Sequence, residues 1–268
     1  MTAHDTQFDE TVDVIVAGSG GGITGAYTAA REGLSVALVE ATDKFGGTTA
    51  YSGGGGMWFP CNPVLQRAGS DDTIEKALNY FHTVIGDRTP PRELQETYIR
   101  RGPGLVEYLE ADDNFVFSVL PWPDYYGSVP DSRSDGLRHI VAAPPVRGEK
   151  LGPPYAGSVR GPLDHDRLGA PAPDKLFGGR ALIGRFLAAL AGYPDAVLYR
   201  NTQLTDLITD DGRVIGGRWC TVMASRCGSA PGAECSWPQA DSSTIPSCDG
   251  RTGVPGEAAT RWADRAAP

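Results

Sequence analysis

The first forty residues alternate continuous apolar runs with a stretch of helical spacing. Residues 12–17, VDVIVA, are apolar up to a glycine cluster, and residues 35–40, SVALVE, form a second such run. Short runs with little polar interruption predict strands buried on both faces, as in a parallel sheet. Between them, residues 22–34 carry Ala, Tyr and Leu at helical spacing and reach Gly33, a C-terminal stop signal. Together they predict a βαβ unit of about thirty residues with a right-handed crossover.

Farther along the pattern changes. Residues 44–60 are too glycine-rich for a regular element, and residues 71–110 place apolar positions at i, i+3 and i+4, which predicts helices. Residues 120–178 are rich in Pro, Gly and Asp and read as a long irregular connection of the kind that carries function. A helix is expected over 180–192, then strands over 196–201 and 202–210, a turn at DDGR (210–213) and a further strand from VIGG.

Composition narrows the class. The 268 residues are 40% hydrophobic and 21% charged, which is globular rather than disordered. A net charge of −9 argues against a nucleic-acid binder, which needs a basic face. No apolar run approaches the ~18 residues of a membrane helix, and the polar start MTAHDTQFDE has no signal-peptide character, so a cytoplasmic protein is expected.

Gly18, Ser19, Gly20, Gly21 and Gly22 sit between the first strand and the helix. Glycines here permit a tight turn and let backbone N–H groups approach a pyrophosphate at the helix N-terminus. Glu40 closes the second strand, where a carboxylate accepts hydrogen bonds from a ribose. Two registers are open: the literal motif is Gly20-x-Gly22-x-x-Gly25, whereas counting from the strand end starts at Gly18 and puts Ile23 in third place. Gly46, Gly47, Thr48, Thr49, Ser52, Gly53 and Gly54 follow the second strand, where a nicotinamide enzyme normally has another crossover helix. Hydroxyls and exposed N–H groups at that place suit the diphosphate and flavin side of FAD, and FAD is the expected cofactor.

DVIVAGSGGG, LVEATDKFGGTTAYSGGGGMW, PDYY at 123–126 and GGRALIGRFLAAL at 178–190 together resemble the FAD-dependent 3-ketosteroid Δ1-dehydrogenases, within the fumarate reductase/succinate dehydrogenase flavoprotein group. The resemblance runs from about residue 12 to 217. It implies a 3-ketosteroid substrate and an unidentified electron acceptor, with hydride leaving C1 for flavin N5 and a tyrosine taking the C2 proton. It places the tyrosine that supports this base at Tyr125, with Tyr126 as the alternative. Arg180 reads instead as serving the helix start. Two departures stand out: the first glycine run is one residue shorter than the family's, and Ala41 stands where lysine is common. The family's chains are about twice as long, and the base and the carbonyl-polarising groups lie in the part not matched, so this chain alone is expected to be inactive. The rival readings are a fumarate reductase-like enzyme and a non-catalytic truncated product.

The expected architecture is therefore α/β. A polar extension (1–11) precedes a Rossmann-like FAD-binding domain with a parallel sheet (12–218), which carries a helical and irregular insertion at about 71–178. Residues 219–268 follow other rules. They hold Cys220, Cys227, Cys235 and Cys248 and no leucine, although the first 218 residues contain 19. No pair of these cysteines has zinc-ligand spacing, and no metal site is expected. Read two nucleotides later, codons allowed by residues 219–248 can spell a turn, an alternating strand, an apolar run and AAGG, the order the family shows. The stretch is read as a non-native tail from a shifted frame that begins near residue 218 and is partly corrected near residue 252. The four histidines, His4, His82, His139 and His165, read as surface or loop residues.

Overall fold

The computed structural model describes residues 8–86, 90–142, 146–151, 155, 157–221 and 251–254. In chain order the elements are β1 (Glu10–Thr11), β2 (Val14–Ala17), α1 (Gly22–Arg31), β3 (Val36–Val39), α2 (Gly47–Ala50), β4 (Met57–Trp58), α3 (Pro63–Arg67), α4 (Ile74–Ile85), α5 (Arg92–Glu110) and β5 (Phe117–Val119). Then come β6 (His139–Ala142), β7 (Val146–Arg147), α6 (Leu163–Leu168), β8 (Lys175–Leu176), α7 (Gly178–Leu190), β9 (Ala196–Tyr199), β10 (Thr202–Asp210), β11 (Arg213–Thr221) and β12 (Arg251–Val254). They fall into two units, the first made of the residues up to Phe45 and from Tyr193 onward, the second of Gly46–Gly192.

The first unit is built on the parallel sheet β2-β3-β9, in which Val14 pairs with Val36 and Val36 with Ala196. All four residues of β3 are buried. Alternation sends Ala37 and Val39 to one face, where they pack with Val12 and Trp219 among Ile15, Tyr199 and Leu204. α1 buries Ile23, Ala26, Tyr27 and Ala30, the i, i+3, i+4, i+7 stripe that its sequence predicts. The fold class expected from the pattern, α/β with a parallel Rossmann-like sheet, is the one observed.

β10 and β11 form an antiparallel hairpin whose turn puts Asp211 and Gly212 at φ 45° and 75°, the left-handed pair that a tight hairpin requires. β11 joins a second sheet of order β1-β12-β11-β10. It runs through Thr221, so Trp219 and Cys220, inside the stretch expected to be aberrant, are both buried in this unit. Trp219 is 1% exposed, and its indole N–H has no hydrogen-bond partner among the described residues. Residues 222–250 and 255–268, with Cys227, Cys235, Cys248 and most of the shifted-frame reading, lie outside the described residues.

In the second unit the predicted helical stretch resolves into α4 and α5. α5 continues through Pro103, and a Cβ at its neighbour Gly102 would lie 2.9 Å from the Phe59 ring. Ala77, Leu78 and Ile99 form a core with Trp58, Ile74 and Phe81. The segment expected to be irregular contains more order than its composition suggests. β6 is the central strand of the sheet β4-β6-β5, β7 pairs with β8, and α6 lies between those two strands. The glycine-rich stretch after β3 likewise holds a helical turn, α2, and the strand β4.

Candidate functional site

In the first unit the chain leaves β2 through Gly18, whose φ of +85° is open only to glycine at low cost. α1 then begins with no side-chain cap and no acidic residue in its first turn. Such an N-terminus presents unsatisfied N–H groups and partial positive charge, the electrostatics of an anion site. A Cβ on Gly22 would lie 2.7 Å from Val16 Cγ1, so Gly22 is the glycine that lets the helix approach the strand. A Cβ on Gly18, Gly21 or Gly25 meets nothing within 4 Å. The register that counts Gly25 as the close-packing glycine is therefore not the one the fold uses, and Ile23 is simply a core residue. Gly22→Ala is expected to cost about 1–3 kcal/mol by overpacking, whereas Gly25→Ala, in exposed helix, should stabilise by about 0.5–1 kcal/mol. Urea denaturation of the two variants checks both signs.

Glu40 lies directly beyond β3, and its residue is only 6% exposed. Its Oε2 accepts from Ser19 N at 3.1 Å and Ser19 Oγ at 2.5 Å, which ties the acid to the glycine turn. Its Oε1 accepts from Thr42 N at 3.0 Å and Thr42 Oγ1 at 2.8 Å. Burial alone raises the carboxyl pKa, but the hydrogen bonds from Ser19 and Thr42 outweigh it and hold the group below its ordinary value. A carboxyl depressed in the folded state contributes stability above its unfolded pKa of about 4.5, and that contribution is lost as pH falls through the folded value. The wild type should therefore lose stability below about pH 4.5 more steeply than Glu40→Gln, as measured by urea midpoints at pH 7, 5, 4 and 3.

An uncapped helix start, an open glycine turn and a buried acid tied to that turn fit the adenosine diphosphate part of a dinucleotide. Thr42 was not singled out in the sequence because the motif ends at the acid. The nearby hydroxyl two residues on is the signal that marks it.

In the second unit the glycines after β3 have divided roles. Gly46, at φ +120°, packs against Ala50 and Ile183, and Gly47 sits at φ +46°. Gly55 packs on the backbone of Gly178 and Gly179, and Gly179 N donates to the Ser52 carbonyl at 2.9 Å. The GGRALIGR motif is thus largely a packing device. Arg180 donates to the carbonyls of Arg160, Lys175 and Pro173 and so ties the 160–175 segment to α7, a longer reach than its helix start alone. Thr48, Ser52, Gly53 and Gly54 are exposed, Thr49 is half-buried, and a Cβ on Gly53 or Gly54 meets nothing. Those positions remain open for ligand contacts.

Tyr125 and Tyr126 are 78% and 57% exposed, and neither phenol has a hydrogen-bond partner among the described residues. Their neighbours hold them: Tyr126 N donates to Tyr80 Oη at 3.3 Å, and Asp124 is buried. His139 corrects the surface reading, for it is only 7% exposed in β6, with its ring in an edge-to-face contact with Tyr125. Burial pushes its pKa down, against the pull of Asp124 and of the Trp122 carbonyl. His82 is half-buried in α4 beside Arg92, His165 is in α6, and His4 lies outside the described residues.

Residues 13–226 match a family described as the FAD binding domain. A 3-oxosteroid 1-dehydrogenase of Rhodococcus opacus is 39% identical over 206 residues, covering 76% of this chain and 39% of that protein. A 4-oxocyclohexanecarboxylate 2-dehydrogenase of Sinomonas cyclohexanicum is 39% identical over 132 residues, 48% of this chain and 22% of that one. The crystal structure of a 3-ketosteroid Δ1-dehydrogenase from Sterolibacterium denitrificans, in complex with 1,4-androstadiene-3,17-dione, superposes with a TM-score of 0.65 at 28% identity, covering 78% of this chain and 44% of that one. The chain thus spans less than half the length of these relatives.

Proposed function

The chain belongs to the FAD binding domain family, and from that premise we propose that it is the cofactor-binding part of a dehydrogenase that desaturates the C1–C2 bond beside the 3-keto group of a steroid. The observation that carries the cofactor half of this reading is the bond between Glu40 and the glycine turn through Ser19. The substrate class is supported by the relative from Rhodococcus opacus and by the PDYY segment.

Gly18, Ser19, Gly20, Gly21 and Gly22 would hold the diphosphate with backbone N–H groups at the start of α1, and Glu40 would hold the ribose. Gly46, Gly47, Thr48, Thr49, Ser52, Gly53 and Gly54 would serve the flavin side, with Ser52, Gly53 and Gly54 offering exposed polar groups. When bound, FAD supplies the two-electron acceptor. Tyr125 or Tyr126 would stand at the proton-removal step, supporting a base in the part of the relatives that this chain does not span. The C2 proton is acidic only when the adjacent ketone is polarised, so the reaction needs donors on that oxygen as well.

Titration of the purified chain with FAD, followed by quenching of flavin fluorescence, tests the cofactor half. Glu40→Ala is expected to weaken binding at least tenfold, the effect of losing a hydrogen bond to a charged group, about 1.5–3 kcal/mol. Reduction of a dye on 4-androstene-3,17-dione, compared with 4-oxocyclohexanecarboxylate, tests the substrate half. Equal or better turnover of the single-ring ketone would overturn the steroid assignment. The turnover assay uses the chain fused to the part of the Rhodococcus opacus relative that it does not span, because the chain alone is expected to bind FAD without turnover.

A further inference from the structure

A carboxylate offers about four acceptor positions, and the chain itself fills all four on Glu40: Ser19 N and Oγ on Oε2, Thr42 N and Oγ1 on Oε1. A ribose hydroxyl can donate to Glu40 only if one of these donors leaves. The two N–H groups are fixed by the backbone. Ser19 is fully buried, and its hydroxyl makes the shortest of the four bonds, at 2.5 Å. Thr42 is only half-buried, and its Oγ1 lies 2.8 Å from Glu40 Oε1 and also 2.8 Å from the Lys44 carbonyl oxygen. A hydroxyl has one proton and cannot serve both acceptors fully.

We propose that Thr42 is the residue that admits the ribose to Glu40. Without ligand its hydroxyl donates to Oε1. When a ribose hydroxyl donates there instead, the Thr42 proton turns to the Lys44 carbonyl, so no hydrogen bond is lost. The exchange replaces a charge-assisted bond from Thr42 with a neutral one, so Thr42 sets a small toll on ribose binding and tunes affinity for the adenosine end. The inference rests on the FAD reading above.

The test is calorimetric binding of ADP and of 2′,3′-dideoxy-ADP to the wild-type chain and to Thr42→Val and Thr42→Ser. Valine keeps the shape and removes the competing donor, so ADP should bind about fivefold tighter, the difference between a charged and a neutral hydrogen bond. The dideoxy analogue, which needs no acceptor on Glu40, should bind both proteins alike, and serine should restore the wild-type value. Unchanged or weaker ADP binding by Thr42→Val, or equal tightening of both nucleotides, overturns the proposal. If the wild type binds neither ADP nor FAD, the cofactor reading beneath it fails as well, whereas FAD binding with unaltered ADP affinity in Thr42→Val removes only the role of Thr42. Circular dichroism of each variant identifies any that fails to fold, and in that event wild-type discrimination decides: ADP binding no tighter than the dideoxy analogue overturns the proposal.

Discussion

Replacement of Arg138 by methionine is expected to destabilise the second unit by about 3–5 kcal/mol, the cost of leaving buried charges without their partner. The side chains of Arg138, Asp72 and Asp124 are 1%, 0% and 1% exposed. The guanidinium holds Asp72 through two bonds, Nε to Oδ2 at 2.6 Å and Nη2 to Oδ1 at 2.8 Å. Its Nη1 reaches Asp124 Oδ2 at 2.8 Å and the Asp131 carbonyl at 2.8 Å, and its face covers the Tyr80 ring. Burial works against the charge, but the two aspartates more than offset it and raise the Arg138 pKa. Asp124 in turn accepts from Trp58 Nε1 and Arg133 N, so its carboxylate is one of the anchors of the loop that carries Tyr125 and Tyr126. Methionine keeps much of the volume and removes the charge. Urea denaturation should show a lower midpoint with an unchanged slope. Adding Asp72→Asn and Asp124→Asn to Arg138→Met should recover part of the loss. A midpoint within experimental error of the wild type for Arg138→Met would show that the triad does not stabilise the fold.

Gly179→Ala is expected to be nearly as damaging, at about 3 kcal/mol. A Cβ at Gly179 would lie 1.8 Å from the Thr49 carbonyl oxygen, a backbone atom that has no rotamer to change. Ordinary carbon–oxygen contact begins near ~3.3 Å, so α7 would have to retreat by more than 1 Å, breaking the bond from Gly179 N to Ser52 O. Gly178, at φ +54°, and Gly55, at φ +57°, meet in the same backbone-on-backbone contact. Gly53→Ala and Gly54→Ala, where a Cβ meets open space, should leave stability unchanged while lowering FAD affinity if these positions contact the cofactor. Paired melting and FAD-binding curves separate the two kinds of glycine. A Gly179→Ala protein that melts like the wild type would remove the packing role assigned here.

The βαβ unit was legible because it depends on neighbours in sequence. An apolar run, a helical stripe and a second run specify β2, α1 and β3, and the turn and the acid fall at their ends. Arg138 and Asp72 are 66 residues apart, and each looks like an ordinary surface charge in a polar stretch. His139 was misread for the same reason, since HIVA is too short a run to stand out in its Pro- and Gly-rich surroundings.

By itself the sequence determined the strand–helix–strand core, a glycine turn within 18–22 and the acid at Glu40, because periodicity and terminal residues act over a few positions. The tertiary structure alone decided that Gly22 rather than Gly25 packs against the strand. It alone showed that the second glycine run is partly a seat for α7, and that Glu40 is already saturated by Ser19 and Thr42. Those outcomes depend on which atoms meet across distant segments, and close contact and hydrogen-bond saturation have no signature in the spacing of residue types.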